Sequence, residues 1–459
     1  MRIIIFLMMS FAVSALAHNE FQSKSFFPKQ WKMLGSVFPE NMNAMMKELS
    51  HLDIDVAGVD VEKKIIDVLL TDSDYRSLKE MGLFVELMEV KGVSKGPDEK
   101  YKTPEEIATI VNDFHTNYPH LAQKKSIGKS LEGRDIWAIK ISDNVETKED
   151  EPVILFNSMH HAREIMTPEV AIDIIEYLLT RYDQDPQVKA WVDNSEIWVL
   201  PMFNVDGNNM MWTKDKWWRK NTRGGYGVDI NRNYPLNWNK CSGSSGSQSS
   251  QQYRGASAGS EPETQAMMKF VGDIKPVFNI SYHSYSEIVI YPYGCDGERV
   301  ATKEIVETIG HEIGSKINYK AGTAWELLYS VDGGDIDWMY DAYQVIPYVI
   351  EVNSRSQGFQ PDYDQWRDKT IVRNRPGWQH LLNKLQESAI RGKIELNGEK
   401  VVIEVITNGK KVQTYRVQDD GSFHIVVKPG TYDLNIKFEN GIAKTQKVEV
   451  GSEIIKVEI

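Results

Sequence analysis

The chain has 459 residues, which is more than one hydrophobic core usually holds, so several domains are expected. Hydrophobic residues make up 41% of it and charged residues 26%, which is ordinary for globular protein. The formal net charge of -12 favours solubility and argues against nucleic acid as a general partner.

The first seventeen residues are predicted to be a cleaved signal peptide, not part of the fold. Arg2 gives a basic start, residues 3–16 are apolar but short for a bilayer span, and residues 15–17 (Ala-Leu-Ala) form a small-x-small cleavage site. An uncleaved membrane anchor is the alternative. No later segment of the sequence is apolar and long enough to be transmembrane, so a secreted or periplasmic protein is expected.

Residues 18–98 are predicted to be a pro-segment that folds as a small α/β open sandwich. Its strand and helix patterns alternate, with Met residues at helical spacing that indicate a core. The predicted strands are 32–38, 53–59, 63–70 and 83–90, and the predicted helices are 39–52 and 72–81. The polar linker 91–100 is a good site for proteolytic nicking. A constitutive accessory domain is the alternative.

Residues 99–389 are predicted to form a large α/β domain with a mixed sheet. Apolar strand patterns alternate with helical stretches such as 167–181, for which Thr167 is the expected N-cap. The predicted strands are 135–141, 152–157, 196–201, 277–282, 288–291 and 345–352.

Residues 390–459 are predicted to form an all-β sandwich. Short alternating runs are separated by Asn-Gly, Asp-Gly and Pro-Gly turns. The predicted strands are 401–407, 411–417, 422–427, 432–438, 444–450 and 454–459.

Two histidines and one glutamate give the strongest chemical signal. His161 and Glu164 are three residues apart and follow a predicted strand, and His283 ends another. The His-x-x-Glu pair alone is weak, because such pairs are common in solvated turns. Two imidazoles with one carboxylate and an open fourth position, however, are the ligand set of a hydrolytic zinc site.

Other polar residues stand in unusual places. Asp229 lies close to Arg232, and Glu351 is a lone carboxylate inside an apolar strand. A buried glutamate is costly unless it is paired or catalytic, and a structural salt bridge is the default interpretation without the other motifs. Cys241 and Cys295 are too few for a zinc ribbon, so they either pair or remain buried thiols.

Region 101–389 resembles the M14 metallocarboxypeptidases, specifically the carboxypeptidase A/B subfamily. The motifs occur in the right order and at plausible spacings. They are His-Ala-Arg-Glu at 161–164, Trp-Arg-Lys at 218–220, Asn-Arg-Asn at 231–233, His-Ser-Tyr at 283–285, Tyr329 ahead of Gly-Gly-Asp-Ile-Asp-Trp at 333–338, and Ile-Glu at 350–351. The resemblance implies a zinc enzyme that cleaves peptide and protein C-termini, made as a zymogen that an activating protease cleaves, and expected to be a monomer.

The resemblance implies that His161, Glu164 and His283 bind one zinc ion per chain. Asp229 would hydrogen-bond the free ring nitrogen of a ligand histidine and fix its tautomer. Glu351 would take a proton from the attacking water and pass it to the leaving amine.

Four further residues have implied roles at the scissile bond and the substrate's terminus. Arg219 would stabilise the oxyanion, and Asn231 and Arg232 would bind the terminal carboxylate. Tyr329 would close over the substrate on a mobile loop.

The resemblance also implies the subsites for substrate side chains. Arg163 and Tyr285 would line the outer subsites, and Ile336 would form the floor of the specificity pocket. The other wall positions are also apolar: Leu328, Val331 and Val349. Aromatic and large aliphatic C-terminal residues are therefore expected. If Asp332 or Asp335 turned inward instead of outward, basic residues would be accepted too.

Three features depart from the A/B pattern. Lys216 replaces an arginine often found there, and the family's usual cysteine pair is not matched. Because the regions of Cys241 and Cys295 both lie near the cleft in the family, one disulfide is expected, worth about 3–4 kcal/mol by the chain-entropy estimate. The C-terminal sandwich resembles the transthyretin-like domain of another carboxypeptidase subfamily.

Two other functions fit the same fold: a peptidoglycan peptidase, and a binding module that has lost catalysis. The presence of Asn231 and Arg232 favours trimming of ordinary peptides over the first. The presence of all zinc ligands and of Glu351 argues against the second.

Overall fold

The computed structural model describes residues 32–88, 97–441 and 443–458. The predicted signal peptide and the first six residues of the predicted linker lie outside the described residues. The chain divides into two compact units, Met1–Lys91 and Gly92–Ile459. No helix among the described residues is long and apolar enough to cross a membrane.

The N-terminal unit is a four-stranded antiparallel sheet with two helices. The strand order is β2-β3-β1-β4. In chain order the elements are β1 (Met33–Val37), α1 (Met42–His51), β2 (Asp55–Asp60), β3 (Ile65–Leu70), α2 (Asp72–Glu80) and β4 (Val85–Leu87). All six residues of β3 are buried, because β3 is central in the sheet and packs on both neighbours. Each of these elements falls inside the range expected from the sequence or within one residue of it.

The large domain contains an eight-stranded mixed sheet with the order β11-β10-β12-β9-β7-β8-β6-β5. Its strands are β5 (Ala122–Lys129), β6 (Asp135–Ile141), β7 (Val153–Ser158), β8 (Glu196–Leu200), β9 (Phe278–Ser284), β10 (Ile288–Tyr291), β11 (Lys320–Thr323) and β12 (Ile346–Val352). The four central strands, β8, β7, β9 and β12, run parallel to one another. Every residue of β7, β8 and β9 is buried, as expected for strands covered on both faces.

The helices of this domain precede the first strand of the sheet, connect its strands or follow the last strand. They are α3 (Pro104–Asn117), α4 (Met166–Arg181), α5 (Pro186–Asp193), α6 (Val205–Thr213), α7 (Pro262–Ile274), α8 (Lys303–Ile317), α9 (Ala324–Leu327), α10 (Asp335–Tyr343) and α11 (Tyr363–Leu385). The expected N-cap of α4 is wrong: the helix begins at Met166 without a side-chain cap, and the Thr167 hydroxyl instead donates to the Glu164 carbonyl at 2.8 Å.

Two edge strands of the sheet were not expected from the sequence. Residues 122–129 are mostly polar and partly exposed, and β11 is only four residues long. Edge strands need no continuous apolar pattern, because one side has no neighbouring strand and much of their surface meets water.

The C-terminal region is a β-sandwich of two sheets, with the orders β16-β13-β19 and β15-β14-β17-β18. Its strands are β13 (Ala389–Lys393), β14 (Val401–Thr407), β15 (Lys410–Arg416), β16 (Ser422–Val426), β17 (Gly430–Phe438), β18 (Ala443–Val450) and β19 (Ile454–Glu458). The two sheets enclose their own apolar core, which includes Ile403, Phe423 and Leu434.

The sandwich is held at the amino ends of the central strands. Asp150, just before β7, accepts a hydrogen bond from Arg391 Nη2 at 2.6 Å. Gln344, just before β12, donates to the Thr414 carbonyl at 2.9 Å. These contacts lie at the edge opposite the carboxyl ends of β7, β9 and β12.

Candidate active site

The predicted site residues converge at the carboxyl ends of β7, β9 and β12. These three strands are neighbours and run parallel, so their carboxyl ends meet at one edge. Met159 turns the chain directly after β7 with a φ of 62°, which brings His160 and His161 to that edge. His283 stands near the end of β9, and Glu351 near the end of β12.

His161, Glu164 and His283 form a compact cluster of donor atoms. Nδ1 of His161 lies 2.8 Å from Oε1 of Glu164, and Nδ1 of His283 lies 3.1 Å from Oε2 of the same carboxylate. The two Nδ1 atoms are 3.1 Å apart. All three side chains are buried, with 5% or less of their surface exposed.

This donor set fits a zinc ion. One cation would satisfy the two imidazole nitrogens, which face each other in a buried site, and the carboxylate that they share. Imidazole and carboxylate are ligand types that zinc prefers. A second acidic group, formed by Asp143, Glu149 and Glu151, lacks histidines and is only partly buried.

Asp229 connects the metal cluster to the cationic side of the site. Its Oδ1 lies 3.3 Å from Nε2 of His161, and its Oδ2 accepts hydrogen bonds from Arg219 Nε and Nη2 at 3.1 and 2.9 Å. Burial alone would raise the pKa of Asp229, but Arg219, His161 and Arg232 together outweigh it, and the pKa lies well below its ordinary value. The carboxylate is therefore ionised and can orient both side chains.

Asn231 and Arg232 lie in a short helical turn after Asp229. The Asp229 carboxylate accepts the backbone N–H of Asn231 at 3.0 Å. The Asn231 carboxamide oxygen accepts the backbone N–H of Asp335 at 2.9 Å. This contact fixes the orientation of the amide and identifies the other end of it as the NH₂ group, which is a hydrogen-bond donor. Arg232 Nε donates to the Gly243 carbonyl at 2.9 Å, which fixes the plane of the guanidinium.

Glu351 stands in an otherwise buried strand and is itself partly accessible. Burial, followed by the nearby Glu164 carboxylate, raises the pKa of Glu351 above its ordinary value. A carboxylate in that position can accept a proton and later return it.

Ile336 lies at the start of α10 in a small apolar cluster. The cluster also contains Ile288, Ile290, Ala324 and Val349, with Leu327, Leu328 and Val331 packed against it. The four residues of the predicted pocket are thus together.

Asp332 and Asp335, which were expected to point outward, are both fully buried. Asp332 Oδ2 accepts the backbone N–H groups of Cys241 and Gly243, and Asp335 Oδ2 lies 3.6 Å from His160 Nε2. Neither carboxylate belongs to the apolar cluster around Ile336.

The residues predicted for the outer subsites both contact Phe359. The Arg163 guanidinium lies 4.3 Å from the ring centroid of Phe359, and the Tyr285 ring lies 4.8 Å from that centroid. Arg163 is fully buried, whereas Tyr329 is partly exposed on the segment between α9 and α10. Phe359 was not identified from the sequence, because a single phenylalanine in a loop has no distinguishing pattern.

Two asparagines that hold the loop after β7 were also missed. Asn204 Nδ2 donates to the His160 carbonyl at 3.0 Å, and Asn208 Nδ2 donates to the Ala162 carbonyl at 3.2 Å. Asn204 is the N-cap of α6, four residues after the end of β8. A helix cap at the end of a strand adjacent to β7 was the available signal.

Cys241 and Cys295 are joined by a disulfide, with their Cα atoms 5.7 Å apart. The bond lies beside the segment that follows Tyr329, since the Cys241 backbone N–H donates to Asp332.

Comparison with known proteins identifies the family. Residues 107–370 match the family model Peptidase_M14, described as zinc carboxypeptidase, so the chain belongs to that family. It is 34% identical over 279 residues to a zinc carboxypeptidase of Saccharothrix mutabilis subsp. capreolus and 32% identical over 277 residues to carboxypeptidase B of Rattus norvegicus. Each match covers 57% of this chain and 64% of the relative.

The fold agrees with a solved structure. Carboxypeptidase A from Helicoverpa armigera superposes with a TM-score of 0.66 at 22% identity, covering 76% of this chain and 95% of that one. The predicted family and the predicted fold class, a mixed-sheet domain flanked by a small α/β unit and a β-sandwich, are confirmed.

Proposed function

We propose that the protein is a zinc carboxypeptidase that removes single residues from the C-terminus of peptides. The observation that carries the proposal is the position of Asp229. One carboxylate contacts the metal cluster at His161, the cation at Arg219 and the backbone of Asn231. The proposed metal site and the proposed carboxylate-binding pair are therefore joined at one edge of the sheet.

One zinc ion per chain is proposed, held by His161, Glu164 and His283. When bound, zinc would polarise the scissile carbonyl and lower the pKa of water toward neutrality. Glu351 accepts a proton from the attacking water and passes it to the departing amine. Its raised pKa suits both transfers near neutral pH.

Arginine and asparagine side chains bind the two substrate groups that carry negative charge. Arg219 is oriented by Asp229 and donates to the carbonyl oxygen as it becomes an oxyanion. Arg232 and Asn231 bind the terminal carboxylate, for which a planar guanidinium is well suited. Tyr329 closes over the bound peptide, and Arg163 and Tyr285 line the outer subsites.

Aromatic and large aliphatic C-terminal residues are the proposed preference. The support is the apolar cluster around Ile336, which offers no partner for an ammonium or guanidinium group. The contacts of Asp332 with Cys241 and Gly243 support the same preference, because that carboxylate is already engaged.

The protein is further proposed to be an exported zymogen and a monomer. The signal-peptide pattern of residues 1–17 supports export, and the separate N-terminal unit followed by a lysine-rich linker supports activation by a protease. The partners are peptide or protein C-termini and that protease.

The test is a rate comparison on N-blocked dipeptides ending in Phe, Leu, Arg, Lys or Glu, after cleavage of the linker. We expect hydrolysis of the Phe and Leu substrates, loss of hydrolysis with a zinc chelator, and no hydrolysis when the C-terminal carboxylate is amidated. Equal rates on the amidated substrate would contradict an exopeptidase. Activity that survives complete removal of zinc would contradict the metal role.

A further inference from the structure

The disulfide joins two loops on either side of one segment near the substrate site. Cys241 opens the Ser/Gly-rich loop, and Cys295 lies in the turn after β10, 54 residues later. Between them lies segment 330–332, which directly follows Tyr329. We call the two loops and their disulfide the clasp, defined by Cys241, Gly243, Gly294 and Cys295.

One side of the clasp is packed tightly on segment 330–332. Asp332 Oδ2 accepts the backbone N–H groups of Cys241 at 3.0 Å and Gly243 at 3.3 Å. A Cβ atom on Gly243 would lie 2.5 Å from the Ser330 carbonyl oxygen and 2.6 Å from the Val331 Cα. Only a glycine therefore allows this approach of one backbone to the other.

The other side of the clasp holds the same segment and the start of α10. The backbone N–H of Val331 donates to the Gly294 carbonyl at 2.9 Å. The backbone N–H of Gly294 in turn donates to the Asp337 carboxylate at 2.9 Å. Segment 330–332 thus contacts both of the loops that the disulfide joins.

The clasp also determines the position of Arg232. The guanidinium Nε donates to the Gly243 carbonyl, two residues from Cys241, at 2.9 Å, and Nη1 donates to the Asn231 carbonyl at 2.8 Å. A shift of Gly243 away from segment 330–332 would move the carbonyl that orients the guanidinium. The zinc ligands stand on other elements, the loop after β7 and the strand β9.

We propose that the Cys241–Cys295 disulfide is a positioning device for substrate binding: it holds Arg232 and the base of the Tyr329 segment where the terminal carboxylate is bound. The proposal rests on the proposed carboxypeptidase function. It assigns the disulfide to substrate affinity and not to the metal or to the proton transfers.

The test uses the full chain after linker cleavage and compares Cys241→Ser/Cys295→Ser with the parent. For a blocked dipeptide ending in Phe, KM is expected to rise about 10- to 100-fold, as for a misplaced binding group, with kcat within about threefold. The inhibition constant of 3-phenylpropionate, which carries a carboxylate and an aromatic ring but no peptide bond, is expected to rise in parallel. The zinc content should match the parent.

Gly243→Ala provides a second variant in which both cysteines remain. Its added methyl group meets backbone atoms of segment 330–332, so the same rise in KM is expected with the disulfide intact. Gly451→Ala is the matched control, because a Cβ there meets nothing within 4 Å, and its KM should equal that of the parent. If the double variant fails to fold, Gly243→Ala still tests whether the contact that the disulfide is proposed to hold sets KM.

An unchanged KM in the double variant or in Gly243→Ala, with or without a lower melting temperature, overturns the proposal and leaves the disulfide a stabilising bond. Loss of zinc or an equal loss of kcat also overturns it, since the effect would then not be confined to carboxylate binding. An inactive parent would instead refute the proposed function, so the two failures are distinguishable.

Discussion

Glu351 and His283 stand directly opposite each other on the neighbouring parallel strands β12 and β9. The separation between the proposed base and a proposed zinc ligand is therefore set by the pairing of two strands and does not depend on the conformation of a loop. Strands in the middle of a sheet are among the most rigid elements of a domain, and a catalytic group placed there keeps its geometry.

Replacement of His283 by Ala is expected to abolish zinc binding and hydrolysis together. Removal of one of three buried ligands leaves an incomplete tetrahedral set. Zinc content is measured by elemental analysis on the folded variant. His120→Ala, which alters an exposed histidine, is the matched control and should keep its zinc. A full complement of zinc in His283→Ala would refute the ligand set.

Glu351→Gln keeps the shape of the side chain and removes the proton acceptor. We expect kcat to fall by about 10²–10⁴-fold, the range typical of acid–base catalysis, while KM and zinc content change little. Steady-state kinetics on the Phe substrate measure both constants. Glu105→Gln, on the exposed start of α3, serves as the control. Turnover near that of the parent would exclude Glu351 as the base.

The uncleaved chain is expected to be nearly inactive, and cleavage in the linker to release activity. The cut should fall ahead of Asp98, because Tyr101 is fully buried and its hydroxyl donates to the Pro361 carbonyl at 3.0 Å. Bonds next to so firmly packed a residue are poor protease substrates.

Limited trypsin digestion with N-terminal sequencing of the product tests this boundary. Lys91→Gln/Lys95→Gln should slow the release of activity, because it removes the two lysines ahead of Asp98 in the linker. An active product that begins at Tyr101 would contradict the expected boundary. An uncleaved chain as active as the product would contradict the zymogen.

Ile336→Asp should shift the preference from Phe and Leu toward Lys and Arg. A carboxylate among apolar side chains is costly alone, and a cationic substrate side chain would compensate it. The ratio of kcat/KM for Arg and Phe substrates is the measurement. Val372→Asp adds the same charge at an exposed position of α11 and should leave the ratio unchanged. If the parent already prefers Arg over Phe, the pocket assignment is wrong.

Asp337→Asn is expected to stabilise the protein above neutral pH. Burial raises the pKa of Asp337 to about 7, although the backbone N–H of Gly294 opposes this. The folded chain therefore holds a proton that the unfolded chain has lost, so this group's contribution to stability falls as pH rises from about 4 to about 7.

The asparagine needs no proton and should gain about 2–4 kcal/mol over the parent at pH 8, with little difference at pH 4. Denaturant unfolding at the two pH values measures this, with Asp113→Asn at an exposed site as control. An equal effect at both pH values would show that protonation is not the cause.

Much of the fold could be predicted because its signals are local. The central strand β7 begins with a continuous apolar run, β9 alternates apolar and polar residues, and the turns of the sandwich carry Asn-Gly, Asp-Gly and Pro-Gly pairs. The edge strand β5 could not be predicted in this way, because its polar residues 123–126 match no buried pattern. The start of α4 was placed at the wrong residue: Thr167 precedes a proline as a capping residue often does, but it lies inside the first turn and its hydroxyl donates to the Glu164 carbonyl.

By itself the sequence identified the side chains that are proposed to carry the chemistry. His161, Glu164, His283 and Glu351 follow or end apolar strands, and zinc chemistry needs those residue types. Only the tertiary structure decided how they are held. The contacts of Asp229 with His161, of Asn204 with the His160 carbonyl, and of Gly243 with Arg232 join residues that are about 68, 44 and 11 positions apart, and two of the three use backbone carbonyls. Every residue has such a carbonyl, so no sequence pattern marks the ones that the fold brings into contact.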